Sequence, residues 1–457
     1  MCSSNKNLDV LVVGGGITGL CTGTLLKQKY PNSRFQVLES ADSPGGTART
    51  DRTDGYVCDW GPNGFLDKEP RTLEWVKSLG LEGSIQRANE NAAKRFIYRN
   101  KKLYELKPPP AFLLSSVLSR RGRLRLLCEP LIRARKEVSP ETVWDFAARR
   151  IGKEAADVLV SSMVSGVFGG NAHDLEVGAC FPRLAEMEQN YGSLLKALRV
   201  IKKNDPKTTP MGPKGVLTTF NGGLGTLVET AATKLGNRLQ CGVTVTGICH
   251  DNNIYSVTTD TGETYTAHNI VIALPAYAAS KILKGIVPNT SKALSEIPYA
   301  GLTVICTGYP ESSIKRDLNG FGFLVPRIEE KRILGCIWTH SLFPGTAPEG
   351  YALLRTMIGG ATEPDAMLLS NEMLLKILRE ELHPILGIEA EPSFVRVFRH
   401  QHGIPQYTLG HSERLQHVTD AEKNNPGLFF AGNAYRGISL NECIVSAYEV
   451  LHKLKIA

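Results

Sequence analysis

A glycine-rich turn set between two short apolar strands constrains this chain more than any other feature. Leu8-Asp9-Val10-Leu11-Val12-Val13 is rich in β-branched residues and runs straight into Gly14-Gly15-Gly16-Ile17-Thr18-Gly19, which opens a helical pattern through Tyr30. Pro31-Asn32 breaks that pattern, and Phe35-Gln36-Val37-Leu38-Glu39 reads as a second strand that ends on an acid. The result is a βαβ unit with a carboxylate twenty residues after the last glycine, the spacing of a dinucleotide site. Gly14 permits the tight turn, Gly16 lets backbone approach a pyrophosphate, and Gly19 lets helix and strand pack closely. The phosphates would rest on the helix N-terminus, among Gly15, Ile17 and Thr18, where free N–H groups and the dipole favour anions. Glu39, followed by Ser40, would accept hydrogen bonds from ribose hydroxyls and repel a 2′-phosphate, which disfavours NADP. The fingerprint by itself leaves FAD and NAD open.

Composition sets the frame around that unit. With 457 residues, 42% hydrophobic and 21% charged, the chain exceeds one hydrophobic core and implies two or three domains, and disorder over most of its length is excluded. The ten Cys include no CxxC pair and no clustered pattern, which points to a reducing compartment. No apolar run approaches the roughly 18 residues of a spanning helix, and the N-terminal stretch reads as a first strand rather than a signal peptide. Lys and Arg number 53 against 45 Asp and Glu, a formal charge of +8. That excess is compatible with nucleic acid, an anionic membrane surface or acidic ligands, so its distribution matters.

Downstream of Glu39 come Gly45-Gly46-Thr47-Ala48-Arg49-Thr50 and Asp59-Trp60-Gly61-Pro62-Asn63-Gly64-Phe65. A second glycine pair just after the ribose acid suits a chain that follows an extended dinucleotide. This order resembles the flavin amine-oxidase superfamily, which implies non-covalent FAD held also by Gly46, Thr47, Gly61, Pro62, Asn63 and Gly64. That superfamily usually carries Arg two positions before the pair; here Ser43 stands there, which leaves the phosphate contact to Arg49 or to none.

Lys94 to Leu106 alternates like a hairpin and ends at Pro108 to Pro110. From Ala111 to Lys136 the apolar residues Phe112, Leu113, Leu114, Val117, Leu118, Leu126, Leu127, Leu131 and Ile132 interleave with Arg120, Arg121, Arg123, Arg125, Arg133 and Arg135, and Glu129 is the only acid. Short arginine-rich amphipathic helices suit a membrane surface; a solvated helical face is the alternative. One stacking residue and no recognised motif speak against nucleic acid. Val143 to Tyr191 is mostly helical in pattern, Lys202 to Lys214 reads as a loop, and a strand-rich stretch follows Ile297-Pro298 until about Gly360.

Several further stretches together resemble the protoporphyrinogen oxidase family: Gly61 to Phe65, Lys94 to Tyr98, Gly166-Val167-Phe168-Gly169-Gly170-Asn171, Gly320 to Pro326, Ile404-Pro405-Gln406-Tyr407-Thr408-Leu409-Gly410-His411, and Gly432-Asn433-Ala434-Tyr435-Arg436-Gly437. The resemblance covers essentially the whole chain in order. It implies an α/β fold: a Rossmann-type FAD domain (residues 1–88, 209–278 and 418–457), a mixed-sheet α+β substrate domain (89–107 and 279–417) and an inserted helical membrane-associating domain (108–208). It also implies that Arg95 pairs with a substrate propionate, that Phe321, Gly322, Leu324, Ile337 and Met357 line the macrocycle pocket, and that Gly169 brings backbone to the substrate. Val245 would lie near the adenine. Gly432 and the helix opening at Ile438, Ser439 and Leu440 would face the flavin. Some relatives carry Trp where this chain has Ser412, so that cofactor contact is left open.

The implied reaction is oxygen-dependent, six-electron oxidation of protoporphyrinogen IX to protoporphyrin IX in haem biosynthesis, by hydride transfer to FAD with dioxygen as acceptor. Coproporphyrinogen III, with four propionates, is the alternative substrate; a non-catalytic membrane-surface flavoprotein is the alternative class. No metal is expected, and His400, His402 and His411 receive no role. The expected location is cytoplasmic, or peripheral on the cytoplasmic face of a membrane, and a homodimer remains compatible with the sequence.

Overall fold

Two seven-stranded sheets are built from segments that alternate along the chain, and loops that follow the glycine turn pack against the second of them. The computed structural model describes residues 6–107, 115–135, 139–204, 208–209, 212–213 and 215–456. The Pro108 to Pro110 boundary, Phe112, Leu113, Leu114 and Lys136 lie outside those residues.

The first sheet has Lys6–Val13 at its centre, paired in parallel with Phe35–Leu38 on one side and Thr264–Ile272 on the other. Leu239–Gln240 extends it in parallel at one edge. Beyond Thr264–Ile272, the strands Ile254–Thr259 and Val245–Asp251 run antiparallel as a meander, while Leu428–Phe430 pairs in parallel with the far half of Thr264–Ile272. Val10, Val12, Leu11 and Ile270 are fully buried, as strands covered on both faces require. Helices Ile17–Lys29, Gly225–Leu235 and Leu440–Lys453 cover one face through Leu20, Leu227 and Ile444.

The second sheet runs in the order Phe394–Pro405, Tyr299–Pro310, Tyr351–Gly359, Ile333–Trp338, Gly322–Leu324, Arg95–Arg99, Lys102–Glu105. Only the pair of Gly322–Leu324 with Arg95–Arg99 is parallel. The hairpin predicted at Lys94 to Leu106 is therefore the edge of this sheet, more than 200 positions from its neighbouring strand. Its outer face packs on Leu374, Leu378 and Leu382. Its inner face, with Val304, Leu353 and Phe398, packs on Tyr56, Cys58 and Trp60 from the cofactor loops.

Between the hairpin and Leu217 the described residues are mostly helical, with Arg120–Leu127, Val143–Ile151, Ser161–Phe168, Pro182–Tyr191 and Leu194–Asn204. The expected loop at Lys202 to Lys214 is partly different: the helix continues to Asn204, and Thr208–Thr209 pairs antiparallel with Gly212–Pro213.

Candidate cofactor and substrate site

The glycine turn shows a separate constraint at each position. Gly14 has φ +110°, and a Cβ there would stand 2.4 Å from the Ala273 carbonyl oxygen. A Cβ on Gly19 would overlap the Gly14 carbonyl oxygen at 1.8 Å, so helix and strand meet backbone to backbone. A Cβ on Gly16 would meet nothing within 4 Å, and one on Gly46 would meet only the Gly16 Cα, at 3.8 Å. The two loops are joined, since the Gly45 N–H donates to the Gly15 carbonyl at 2.8 Å. Open space thus lies beside the N-terminus of Ile17–Lys29, where Ile17 and Thr18 form the start of the first turn and backbone N–H groups have no intrahelical acceptors.

Glu39 is oriented by backbone. One carboxylate oxygen accepts from the Gly15 N–H at 2.7 Å, and the other accepts from the Ala41 N–H at 2.9 Å and the Ser40 hydroxyl at 3.3 Å. An ionised carboxylate has about four lone-pair sites, so acceptor capacity remains for a sugar hydroxyl. Val245 begins its strand beside this acid and is buried with Val13 and Leu38; the Val243 N–H donates to the Glu39 carbonyl at 2.9 Å.

Gly61 lies against Thr47, where a Cβ would come 2.6 Å from the Thr47 carbonyl oxygen. Arg49 donates to the Ser43 carbonyl at 2.5 Å and sits 5.3 Å above the Trp60 ring. Half-buried Pro62, Asn63 and Gly64 complete the loop. Four side-chain donors in and beside it are buried without a partner: Arg49 Nε, Trp60 Nε1, Asn63 Nδ2 and Arg355 Nε. At the other end of the chain, Gly432 is open except for Thr18 Oγ1 at 3.9 Å. Ile438 and Ser439 lead into Leu440–Lys453, with Ser439 capping the Glu442 N–H. Open glycines, a helix N-terminus and unsatisfied donors together fit an anionic, acceptor-rich dinucleotide.

The residues expected to line the macrocycle pocket are drawn onto one side of the second sheet. Strand register places Arg95 opposite Gly322, Gly322 opposite Ile337, and Ile337 opposite Arg355. The adjacent row holds Leu324, Gly335, Met357 and Val304. Ile337 is the one half-buried residue in an otherwise buried strand, and Met357 is the one half-buried residue in the interior of its own. Helix Ser161–Phe168 crosses this side: a Cβ on Gly166 would meet Leu324 at 2.5 Å, and the Gly169 carbonyl accepts from the Ala361 N–H at 2.7 Å. Arg95 is exposed at the rim, 5.0 Å above the Phe321 ring. Desolvation lowers its pKa, yet a guanidinium remains a cation in proteins, and among the described residues it has no ion pair.

Other residues grip the two halves together, and sequence reasoning passed over them. His400 Nε2 donates to the Trp60 carbonyl at 2.9 Å, Arg355 donates to the Gly61 carbonyl, and Phe398 stacks on Trp60 at 5.3 Å. An arginine inside the apolar run Tyr351 to Gly359 was the available signal. Tyr407 donates to the Asn433 carbonyl at 2.5 Å and accepts from the Gly437 N–H at 2.9 Å, while Gln406 donates to the Phe168 carbonyl at 2.8 Å. The Ile404 to His411 stretch thus joins the Gly169 turn to the Gly432 turn. Ser412 donates to Glu176 at 2.5 Å. His411 is fully buried, 4.0 Å from the Tyr407 ring, and burial followed by Arg414 lowers its pKa to about 4. His402 packs on Tyr277. Among the described residues no His, Cys, Asp and Glu cluster could hold a metal.

Comparison with known proteins gives this geometry its class. The model of the flavin containing amine oxidoreductase family matches residues 17–450, and the chain belongs to that family. It is an FAD-dependent oxidoreductase. It is 31% identical to protoporphyrinogen oxidase 1, chloroplastic, of Spinacia oleracea, over 97% of this chain and 83% of that one. It is 28% identical to coproporphyrinogen III oxidase of Bacillus subtilis, over 96% of both. A crystal structure from Exiguobacterium sp. 255-15, described as that of a candidate protoporphyrinogen oxidase, shares the fold with TM-score 0.83, 23% identity and 98% coverage of both chains.

Proposed function

We propose that this chain oxidises porphyrinogens, and specifically protoporphyrinogen IX to protoporphyrin IX in haem biosynthesis, with dioxygen reoxidising the cofactor. The observation that carries this reading is the inner side of the second sheet. Half-buried Leu324, Ile337 and Met357 leave an apolar surface on the side that meets the cofactor loops, and Arg95 stands at its rim with no counter-ion among the described residues. A largely apolar macrocycle with carboxylates at one edge matches that arrangement.

The site would take FAD, which when bound would supply a hydride acceptor for oxidation at a meso carbon. The chain's own part is to orient and to exclude water. Arg95 would hold a propionate, Phe321, Gly322, Leu324, Ile337 and Met357 would seat the ring, and Gly169 would close the opposite side. Gly14 to Gly19, Glu39, Ser40, Gly46, Thr47, Gly61 to Gly64, Val245, Gly432 and Ile438 to Leu440 would hold the cofactor. The division into 1–88, 209–278 and 418–457, then 89–107 and 279–417, then 108–208, follows from the same reading. So does peripheral attachment to the cytoplasmic face of a membrane, which exposed Leu124, Leu127 and Leu131 support; among the described residues no helix is long and apolar enough to cross one.

One rim cation suits a substrate with two propionates better than one with four. The Bacillus subtilis relative keeps coproporphyrinogen III as the second reading. Each porphyrinogen is supplied to the flavin-loaded protein without air, air is admitted, and porphyrin fluorescence is followed. Faster protoporphyrin formation supports the first reading; faster coproporphyrin formation replaces it with the second.

A further inference from the structure

Arg355 is a buried cation that forms no ion pair among the described residues. It is 5% exposed, yet among the described residues no carboxylate lies within 4.0 Å of its guanidinium. One of its nitrogens donates to the Gly61 carbonyl, and its Nε has no partner. Asp59 is the acid that feels it, but its Oδ1 accepts from the Thr50 hydroxyl at 2.6 Å and the Leu224 N–H at 2.9 Å, its burial raises its pKa, and it forms no ion pair with Arg355. The contrast inside the molecule is Arg150, fully buried and braced by both Glu129 and Glu188. Leaving a guanidinium buried and unpaired is costly, so an anion is the expected complement.

The surroundings say which anion. Gly61, which Arg355 touches, rests on Thr47, and Thr47 follows the Gly46 that faces Gly16. Arg355 therefore braces the same pair of loops that leaves space at Gly16 and Gly46 beside the N-terminus of Ile17–Lys29. From Arg95 it is three strands away, about 14 Å at about 4.8 Å per strand. It is more enclosed than Arg95 and held against the cofactor loop, not the rim.

We propose that Arg355 compensates the negative charge that FAD gains on reduction, and thereby raises the cofactor's reduction potential. This rests on the flavin-dependent reading of the site. In the step concerned, a substrate C–H bond breaks and its electron pair leaves with the hydrogen as hydride. FAD gains two electrons and one proton, a net charge of minus one, and the substrate releases an N–H proton to water. A fixed cation in a dry site favours that product.

The test compares reduction potentials of flavin-loaded wild type, Arg355→Gln and Arg355→Lys, by anaerobic equilibration with a reference dye. Gln keeps a hydrogen-bond donor for Gly61 and removes the charge; Lys keeps the charge. The reduction equilibrium of Arg355→Gln is expected to fall at least tenfold, about 30 mV for a two-electron couple, while Arg355→Lys stays within about threefold of wild type. An unchanged potential in Arg355→Gln overturns the proposal, even if its KM rises, since that outcome makes Arg355 a substrate contact. An equal fall in both variants overturns it too, since the Gly61 contact would then matter and not the charge. If Arg355→Gln retains no flavin, Arg355→Met takes its place as the variant without charge: a tenfold fall supports the proposal and an unchanged potential overturns it. Wild type purified without flavin would instead defeat the underlying reading, before any variant is measured.

Discussion

Arg95 and Arg355 share one register row, yet one is exposed with an aromatic ring beneath it and the other is buried against a carbonyl. That difference predicts different kinetics. Arg95→Ala should raise KM roughly 10- to 100-fold, the equivalent of about 1.5–3 kcal/mol for a lost charge-assisted bond, with kcat nearly unchanged; steady-state assays with protoporphyrinogen check it, and an unaltered KM removes the propionate role. Gly16→Ala makes the complementary prediction for the cofactor. Its φ of −71° accepts any residue and nothing lies within 4 Å, so the added methyl should leave apo-protein stability within about 0.5 kcal/mol of wild type. Flavin occupancy after purification should fall, because the methyl enters the space left for phosphate. The glycines were legible in sequence because the strand–turn–helix pattern that calls for them lies within a few residues of chain, as at Gly19, which meets the Gly14 carbonyl. Arg355 was not, because its contact to Gly61 spans 294 positions and depends on which strands neighbour which.

At the scale of elements, the arginine-rich segment divides into structural and surface residues in a way composition does not reveal. Arg125 donates to the Arg149 and Arg150 carbonyls, and Arg135 pairs with Glu141 at 3.4 Å, so these two are tied to the fold. Glu129, read in sequence as a lone acid among arginines, is fully buried beneath Arg150 and caps Leu194–Asn204 through the Leu194 and Leu195 N–H groups. Burial alone would raise its pKa, but bonds from Ser193, Leu194, Leu195 and Arg150 outweigh that and hold it below the ordinary range. A depressed carboxylate contributes stability above its unfolded pKa of about 4.3, and that contribution is lost as pH falls through the lower folded value. Glu129→Gln should therefore cost about 3–5 kcal/mol near neutral pH, and the gap to wild type should narrow on acidification, as denaturant titrations at several pH values would show. What remains at the surface is Leu124, Leu127 and Leu131, the last 82% exposed, beside Arg120, Arg121 and Arg133. Leu131→Asp should weaken binding to anionic vesicles at least tenfold in sedimentation assays, from about 1.5–3 kcal/mol of lost apolar burial, without changing turnover of dissolved substrate. Equal sedimentation of wild type and variant would leave this face an ordinary solvated one.

Across the whole molecule, the site exists only because two sheets of interleaved sequence are clamped loop to strand. Trp60 and Gly61 hand successive carbonyls to His400 and Arg355, and Gln406 and Tyr407 tie the Phe168 turn to the Asn433 turn. The βαβ unit, the edge hairpin and the final helix were each readable from periodicity, glycine and proline. The pairing of Arg95–Arg99 with Gly322–Leu324 was not, because no local pattern encodes a neighbour more than 200 residues distant. The proposed pocket positions could be named before the structure only through family resemblance, since Ile337 and Met357 look like core until the sheet shows them half-buried beside fully buried neighbours. The most direct test mixes flavin-loaded protein with protoporphyrinogen in the absence of oxygen and records flavin absorbance. A flavin-dependent porphyrinogen oxidase requires the flavin to bleach as substrate is added and porphyrin fluorescence to grow when air returns. Flavin that stays oxidised with both protoporphyrinogen and coproporphyrinogen, and porphyrin appearing no faster than in a protein-free control, would contradict it.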